Sequence, residues 1–397
     1  MWYVLFKIKW VCDWVKVISM KDEENFFEHQ SEQSMVKAKI VSNYFTAWSR
    51  IMCKNWSSSI PVGYVDLFSG PGVYHDGNES VPIMLIKTVL NDMKLSNRFW
   101  FYFNDQDENN IENLKRTIAE IDTNAKLKRK IMYSARTIDE DFANAITINS
   151  QGPILSFVDP FGYKGLTIDL INKLIKNNGS DCIFFFNYKR INMALSSNQK
   201  FDEYLEGLFG QKRVQILKNE LKELSPEERE PIVLNGLIEA LKENSANYVL
   251  PFKFYRTDML RTSHFIIFVT KHKLGCSIMK QIMYANSAKD VDGVASFEFK
   301  DSKNFRNKFE QLTIFARPLD ALCDEVFEIC KHGDIQVKSI CEKYDTDFSN
   351  HYVSRNVKDA LIRLEEHNKI IVISGRKQKQ RKGKLNMPDG AIVGVLR

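Results

Sequence analysis

A glycine-containing turn with an acidic residue follows one of the apolar runs, and these residues could bind a ligand. The segment YVDLFSGPG reads as a strand that ends in an acidic residue and two glycines. Glycines let the backbone approach a ligand closely. The dinucleotide spacing G-x-G-x-x-G is absent, because position 75 is His. The sequence therefore favours S-adenosylmethionine, which has no phosphate, over a pyrophosphate cofactor, with Asp66, Phe68, Gly70 and Gly72 as its contacts.

A second acidic turn ends the next apolar run. FNDQD follows the run FWFY and places Asp105 and Asp107 at the end of a predicted strand. A carboxylate in this position is placed to accept hydrogen bonds from both hydroxyls of a cofactor ribose as a bidentate pair. Asp105 is the first choice for that role and Asp107 the second. The alternative for Asp107 is the N-cap of the following helix.

A third turn, SFVDPFGY, is the candidate substrate site. Asp159 and Pro160 end a strand at the edge where α/β sheets bind ligands. Their oxygens could hold an amine while it attacks the sulfonium methyl, a reaction in which positioning supplies most of the rate. Phe161 or Tyr163 could stack on a flipped base. The alternative is a tight turn packed by aromatic side chains.

The net charge of +6 is concentrated near the C-terminus. Between Lys331 and Arg397 there are 14 Lys and Arg against 8 Asp and Glu, an excess equal to the net charge of the whole chain. Six basic residues fall within nine positions: Arg376, Lys377, Lys379, Arg381, Lys382 and Lys384. Such a cluster predicts contact with nucleic-acid phosphates, although a solvated loop of a protein-binding unit is the alternative.

Strand and helix patterns alternate around these turns. Strands are predicted at 63–68, 99–104, 130–134, 154–158 and 182–186, with helices at 82–92, 109–121, 139–148 and 168–177. A further helix precedes them, at 26–54. Continuously apolar runs such as CIFFF are typical of parallel strands buried on both faces. Two strands at 248–256 and 263–270 then predict an antiparallel hairpin at the sheet edge, which is the strand order of a Rossmann-like class I methyltransferase domain.

The chain divides into three parts by this interpretation. Residues 1–25 are an extension or reflect a misplaced start, because Met20 precedes a polar run typical of a natural N-terminus. Residues 26–317 form the methyltransferase-like α/β domain, with a helical insertion at about 191–246. Residues 318–397 read as helix, helix, helix and β-hairpin, the order of a winged helix that presents the basic cluster on its wing.

Cysteines and hydropathy narrow the cellular setting. Seven cysteines without a Cys-x-x-Cys pair fit free thiols in a reducing compartment, so we expect a cytoplasmic protein without a structural metal. The apolar N-terminal residues are interrupted by charges, so the runs are shorter than the ~20 residues of a membrane span. No membrane association is expected.

Four segments resemble a named family. FFEHQSEQSMVKAKIVSNYFTAWSRIM, YVDLFSGPGVY, SFVDPFGY and HFIIFVTKHKLGCSIMKQIM together look like the bacterial three-Cys-motif partner proteins, over roughly residues 25–290. DLFSGPG and DPFG are the motifs that carry most of the resemblance, and the winged-helix tail is also similar to that of family members. The resemblance implies a methyltransferase-like fold and a partner protein with three cysteines.

Three functions remain open from the sequence. The first is an S-adenosylmethionine-dependent methyltransferase acting on DNA or RNA, with methylation of a base amine favoured. Methylation at a cytosine carbon is set aside, because it needs a Pro-Cys nucleophile that is missing from the sequence. The second is a non-catalytic, cofactor-sensing subunit that binds nucleic acid. The third is a methyltransferase acting on its partner protein. Amino-methyltransferases usually have a second Pro where Phe161 stands. This departure counts against the geometry of amine methylation in the first of these functions.

Overall fold

The computed structural model describes most of the chain. The described residues are 32–74, 77–127, 130–138, 152–160, 165–196, 201–244, 246–255, 261–289, 292–299, 318–347, 349–381 and 383–396. Several predictions fall outside them: the extension at 1–25, the helix at 139–148, and the side chains of Phe161, Tyr163 and Lys382.

Eight strands form one sheet within the described residues. They are β1 (Val62–Asp66), β2 (Phe99–Asn104), β3 (Ile131–Ser134), β4 (Ile154–Val158), β5 (Asp181–Phe186), β6 (Tyr248–Tyr255), β7 (Thr262–Thr270) and β8 (Glu298–Phe299). Their spatial order is β3-β2-β1-β4-β5-β7-β6-β8. The first five are parallel, and β7 is antiparallel to both of its neighbours. This is a mixed α/β, Rossmann-like methyltransferase fold.

The predicted hairpin is present, but it does not form the sheet edge. β7 lies between β5 and β6, and β8 pairs in parallel with β6 at the edge. Nearly every residue of β7 is buried, and its central apolar run FIIFV is typical of an interior strand. The edge strand β8 has only two residues, so the sequence contains no alternating pattern long enough to predict it.

Helices cover both faces of the sheet. They are α1 (Glu32–Asn55), α2 (Val81–Leu90), α3 (Met93–Ser96), α4 (Glu108–Ile121), α5 (Ile168–Leu174), α6 (Tyr188–Leu195), α7 (Asp202–Phe209), α8 (Gln211–Glu220), α9 (Pro226–Glu243) and α10 (Lys273–Ala285). Alternate strand residues belong to different cores, since Val65 packs with α5–α9 and Tyr64 with α1, α2 and α10. This two-residue period makes a three-layer α/β/α arrangement. The helices α6–α9 occupy the region predicted as a helical insertion.

The C-terminal unit, residues 318–396, has a core of its own. It contains α11 (Pro318–Lys331), β9 (Ile335–Gln336), α12 (Val337–Asp345), α13 (Ser354–Glu366), β10 (Ile370–Ser374), β11 (Gln380–Arg381), β12 (Lys384–Leu385) and β13 (Ile392–Val395). Strands β10, β13 and β9 form a small antiparallel sheet, and β11 and β12 form a separate two-stranded ribbon. Leu322, Val326 and Leu361 are fully buried in the core beneath the three helices.

Candidate active site and nucleic-acid interface

The glycine turn after β1 depends on left-handed backbone geometry. Gly70 and Gly72 have φ angles of 63° and 92°, which side-chain-bearing residues rarely adopt. A Cβ at Gly72 would lie 3.0 Å from Cδ1 of Leu114 in α4. Gly72 therefore also allows α4 to pack closely against the turn. Its carbonyl accepts the amide of Ser80 at 2.8 Å, which closes the loop before α2.

Asp105 ties the second turn to the first. Its Oδ2 accepts the backbone N–H of Gly70 at 3.0 Å, and its Oδ1 accepts the backbone N–H of Asp107 at 3.0 Å and Nδ2 of Asn110 at 3.2 Å. Three donors therefore occupy most of the lone-pair positions of one carboxylate. Asp107 accepts the amide of Asn109 at 2.9 Å and is the N-cap of α4, so the structural alternative for Asp107 is confirmed.

Asn104, which the sequence did not single out, joins the neighbouring loops. Its Nδ2 donates to the carbonyls of Leu67 at 3.1 Å and Arg136 at 2.9 Å, and its Oδ1 accepts the amide of Arg136 at 3.2 Å. The side chain is buried, so these bonds replace those it would make to water. Asn104 fixes the positions of the loops after β1 and β3. An amide in an otherwise aromatic strand was the available signal.

Asp66 supports the turn from beneath. Its side chain is only 1% exposed, and it accepts the amide of Phe68 and the hydroxyl of Tyr64, both at 3.2 Å. Burial raises the pKa of Asp66 to about 7, and the negative charges of Asp159 and Asp105 add to that rise. The three predicted acidic turns are therefore close enough to interact. Phe68 is half-buried and packs on the core shared with α5–α9.

Asp159 is paired with a lysine that the sequence did not reveal. Oδ2 of Asp159 forms a salt bridge with Nζ of Lys37, which lies in the second turn of α1. The two side chains are 20% and 14% exposed, so the pair is largely shielded from water. The same ammonium lies 5.0 Å from the ring centroid of Phe185 on β5. Pro160 is buried.

A buried histidine continues this surface beyond Phe185. The ring of His264 lies 4.3 Å from that of Phe185 and is stacked on Phe254 at 4.6 Å with an interplanar angle of 12°. Burial, with the nearby charge of Lys37, lowers the pKa of His264 to about 3. His264 is therefore a neutral aromatic spacer at physiological pH and not an acid–base group.

The basic cluster is divided by the structure. Arg376 donates to both oxygens of Glu365 at 2.9 and 2.6 Å, and its side chain is 9% exposed. It is therefore committed to the fold of the C-terminal unit, contrary to its prediction as a phosphate contact. Lys377, Lys379 and Lys384 are exposed on and beside the ribbon. Arg381 lies opposite Lys384 on the two strands of the ribbon, and Gly383 lies in the turn at the tip of the ribbon.

A groove of about 460 Å³ lies between α13, α10 and the segment after β12. Arg355 and Lys358 line it, but so do Asp359 and Asp389. Lys358 pairs with Asp389 at 2.6 Å, and Arg355 approaches Asp359 at 3.9 Å. The charges of the groove are balanced, so the ribbon is the more basic surface of this unit.

No cluster of three or more His, Cys, Asp or Glu side chains in the described ranges has a metal-binding arrangement. Among the same residues, no helix has both the length and the apolar character that crossing a membrane requires.

The comparisons with known proteins give distant structural likenesses. No family model matches the sequence, and no curated protein matches it. Protein LPL1258 from Legionella pneumophila is similar in structure at 10% identity and a TM-score of 0.34, over 59% of this chain and 85% of that one. The N-terminal domain of human METTL16 in complex with SAH is similar at 11% identity and 0.26, over 57% and 69%.

The DszA carbon methyltransferase is a further likeness, at 12% identity and a TM-score of 0.30, over 56% of this chain and 50% of that one. The fold assignment itself stands on the strand order, with the antiparallel β7 between β5 and β6.

Proposed function

We propose that this chain is an S-adenosylmethionine-dependent methyltransferase that methylates a base amine in nucleic acid. The observation that carries the proposal is the meeting of three acidic turns, at Asp66, Asp105 and Asp159, at the carboxyl ends of β1, β2 and β4. Ligands of open α/β sheets bind at this edge. The acidic turns also act on one another, since the charges of Asp105 and Asp159 raise the pKa of Asp66.

The charge of this edge suits the proposed cofactor. S-Adenosylmethionine carries a sulfonium and an ammonium, which the negative charge of Asp105 attracts, whereas Asp159 is paired with Lys37 and Asp66 is buried beneath the turn. The charge of Asp105 also repels the phosphates of a dinucleotide. The residues present therefore fit S-adenosylmethionine, which when bound supplies a methyl group activated by its sulfonium. The backbone at Gly70 and Gly72, with Phe68, would border it.

The hydrogen bonds of Asp105 refine its predicted role. An ionised carboxylate offers about four acceptor positions, and three are already used by Gly70, Asp107 and Asn110. One position remains for a ribose hydroxyl. We therefore assign Asp105 a single ribose contact together with the task of holding the glycine turn, in place of the bidentate contact predicted from the sequence.

Asp159 and Pro160 would orient the target amine. The salt bridge with Lys37 engages Oδ2, and within the described residues Oδ1 of Asp159 has no hydrogen-bond partner. That oxygen and the carbonyl of Pro160 would accept the two N–H groups of an exocyclic amine and direct its lone pair. Lys37 keeps the carboxylate in place. Phe161 completes this proposal as the stacking partner of the base.

The C-terminal unit would dock the nucleic acid. We assign it as a winged helix because α11, β9, α12 and α13 precede the antiparallel strands β10 and β13, and the long connection between these two strands carries the basic ribbon. Lys377, Lys379 and Lys384 would contact phosphates, together with Arg381 and Lys382. We also propose a partner protein with three cysteines, because the DLFSGPG and DPFG motifs resemble those of the three-Cys-motif partner family.

Transfer of a tritiated methyl group tests the proposal. The full chain, with its partner protein where required, is incubated with labelled S-adenosylmethionine and either DNA or RNA. Label in the nucleic acid that is lost in Asp159→Asn, while calorimetric binding of S-adenosylhomocysteine is retained, supports it. Binding of the cofactor without transfer to any nucleic acid would contradict it.

The salt bridge between Lys37 and Asp159 favours a second candidate, a non-catalytic cofactor sensor. In that case the lysine ammonium permanently takes the place of a substrate amine beside Asp159. Lys37→Met separates the two candidates: the sensor stays without transferase activity and keeps its cofactor affinity. A methyltransferase instead shows an altered KM for nucleic acid, because the carboxylate loses its positioning partner.

A further inference from the structure

A second cavity lies at the opposite edge of the sheet from the candidate active site. It has a volume of about 180 Å³ and is bounded by α1, α10 and the start of β5. Asp181 begins β5, whereas Phe186 ends it near the acidic turns. At about 3.3 Å per residue, the two edges are about 16 Å apart. The cavity is therefore separate from the proposed cofactor and substrate sites.

The lining is mostly aromatic and apolar, and its polar side chains include Asp181, Asn178 and His272. Tyr44, Trp48 and Trp56 supply aromatic rings, and Met52 and Ile278 supply apolar walls. Leu274 also lines the cavity and is 57% exposed, which marks its opening to solvent. The volume is slightly larger than the ~150 Å³ cavity that accommodates benzene in an engineered protein. A single six-membered ring with a short arm fits this space.

Asp181 is unusual because it is buried with an unpartnered oxygen. Only 2% of the residue is exposed. Its Oδ2 accepts the hydroxyl of Tyr44 at 2.7 Å, but Oδ1 has no hydrogen-bond partner among the described residues. A buried carboxylate oxygen without a partner is destabilising. Burial accordingly raises the pKa of Asp181 to about 6, although the neighbouring hydroxyls of Thr270 and Tyr44 act in the opposite direction.

The cavity lining in the described chain contains neither Lys nor Arg. The positive charge of Lys271 acts on Asp181, but its Nζ donates to the carbonyl of Lys176 at 2.8 Å. His272 lines the cavity, but its Nε2 accepts the amide of Gly179 at 3.1 Å, which makes the ring neutral with the proton on Nδ1. The negative charge of Asp181 is therefore left without a counter-ion in the cavity.

We propose that this cavity binds a small amine with a flat apolar body, whose ammonium pairs with the carboxylate of Asp181. The ammonium would supply the missing hydrogen-bond donor and counter-charge, and aromatic rings stabilise cations that approach their faces. The apolar body would displace water from the walls formed by Met52 and Ile278. The site is independent of the methyltransferase proposal.

Benzylamine, which is protonated at neutral pH, is the probe, and benzyl alcohol is its neutral control of similar shape. Calorimetry with the full chain measures both. We expect benzylammonium to bind at least about tenfold more tightly than benzyl alcohol, the advantage of a hydrogen bond to a charged group. Asp181→Asn, which preserves the shape, should abolish this preference and leave the binding of benzyl alcohol unchanged.

A second variant keeps the test decisive if Asp181→Asn fails to fold. Ile278→Phe narrows the cavity without touching the carboxylate, so it should weaken both probes by at least about tenfold. Equal binding of benzylammonium and benzyl alcohol to the natural protein would overturn the proposal. So would the absence of benzylammonium binding, or an ammonium preference that survives in Asp181→Asn.

Discussion

The amide of Gly70 donates to the carboxylate of Asp105 across 3.0 Å, and this bond joins the loops after two adjacent strands. Gly70 lies in the turn after β1, and Asp105 follows β2 immediately. Parallel strands bring their carboxyl ends to one edge of the sheet, which places the two turns side by side. The glycine turn is therefore held in shape by the same residue that was predicted to hold the cofactor ribose.

Removal of the Asp105 carboxylate should disturb the cofactor site more than the fold. Asp105→Ala loses the bonds from Gly70 and from the loop before α4, so the glycine turn is no longer fixed. We expect binding of S-adenosylhomocysteine to weaken by at least about tenfold, since bonds to an ionised group are lost. Calorimetry at constant pH measures the change.

Asp107→Ala is the matched control, because the two residues are neighbours of equal charge. It removes the N-cap of α4 and should lower the free energy of unfolding by about 1 kcal/mol. Its cofactor affinity should stay unchanged. An equal loss of affinity in both variants would show that charge in this region matters and that the bond to Gly70 does not.

Local patterns predicted the central strands well and their long-range partners poorly. The strands at 99–104 and 154–158 have the predicted bounds, because continuous apolar runs between polar turns define them. Lys37 could not be assigned to Asp159, since 122 positions separate them and nothing in the spacing of α1 reveals the pair. The same holds for Arg376: its basic neighbours predicted a phosphate contact, whereas Glu365 on α13 determines its role.

The pair of Arg376 and Glu365 should stabilise the C-terminal unit. Both hydrogen bonds are charge-assisted and the side chains are 9% and 18% exposed, so each leaves a shielded charge when its partner is removed. We expect Arg376→Gln to lower the free energy of unfolding by about 3 kcal/mol. Urea unfolding of Arg376→Gln, Glu365→Gln and the double variant measures the coupling. Additive losses would contradict the assignment.

The exposed lysines of the ribbon should dominate the salt dependence of nucleic-acid binding. Each phosphate contact contributes about 0.9 to the slope of log K against log salt concentration. Replacement of Lys377, Lys379 and Lys384 by Ser should therefore reduce the magnitude of this slope by about 2 to 3. Fluorescence anisotropy with a labelled duplex at several salt concentrations gives both slopes.

Three exposed lysines of the α/β part provide the control for the ribbon variant: Lys94, Lys126 and Lys222. Their replacement by Ser makes the same change in net charge away from the ribbon. If the two triple variants lose the same slope, binding depends on total charge, and the ribbon has no special role.

Lys280 should hold α10 to the C-terminal unit. Its Nζ donates to the carbonyls of Tyr344 and Asp347 and to Oδ1 of Asn350, and only 1% of the residue is exposed. Lys280→Met leaves these acceptors without their donor, so we expect the free energy of unfolding to fall by about 2 to 4 kcal/mol. Hydrogen exchange should become faster in α12.

Lys273→Met is the comparison for Lys280, because Lys273 also connects α10 with α12. It pairs with Glu342 at 3.2 Å, but the side chains are 51% and 46% exposed. An exposed pair contributes less than about 1 kcal/mol. If the amides of α12 exchange hydrogen at similar rates in both variants, the buried lysine does not hold this interface.

His264 should make the fold sensitive to acid. Its pKa is about 3 in the folded chain, because burial disfavours the charged ring, and about 6.5 when the chain is unfolded. Between these values the unfolded state binds more protons, so His264 stabilises the fold above pH 6.5 and this contribution is lost as the pH falls towards 3. His264→Phe keeps an aromatic ring between Phe185 and Phe254 but cannot be protonated. Its free energy of unfolding should therefore decline less steeply over this range, by up to about 1.4 kcal/mol per pH unit.

Urea unfolding of the natural chain and His264→Phe, at half-unit steps of pH, gives the difference directly. The comparison is needed because Asp66 acts in the opposite sense. Its pKa rises from 3.8 to about 7 on folding, so its contribution falls as the pH increases through that window. Asp66 is present in both proteins, and its effect cancels in their difference. Parallel pH profiles would show that the ring of His264 accepts a proton in the folded chain as readily as in water, and that its stacking does not exclude the charged form.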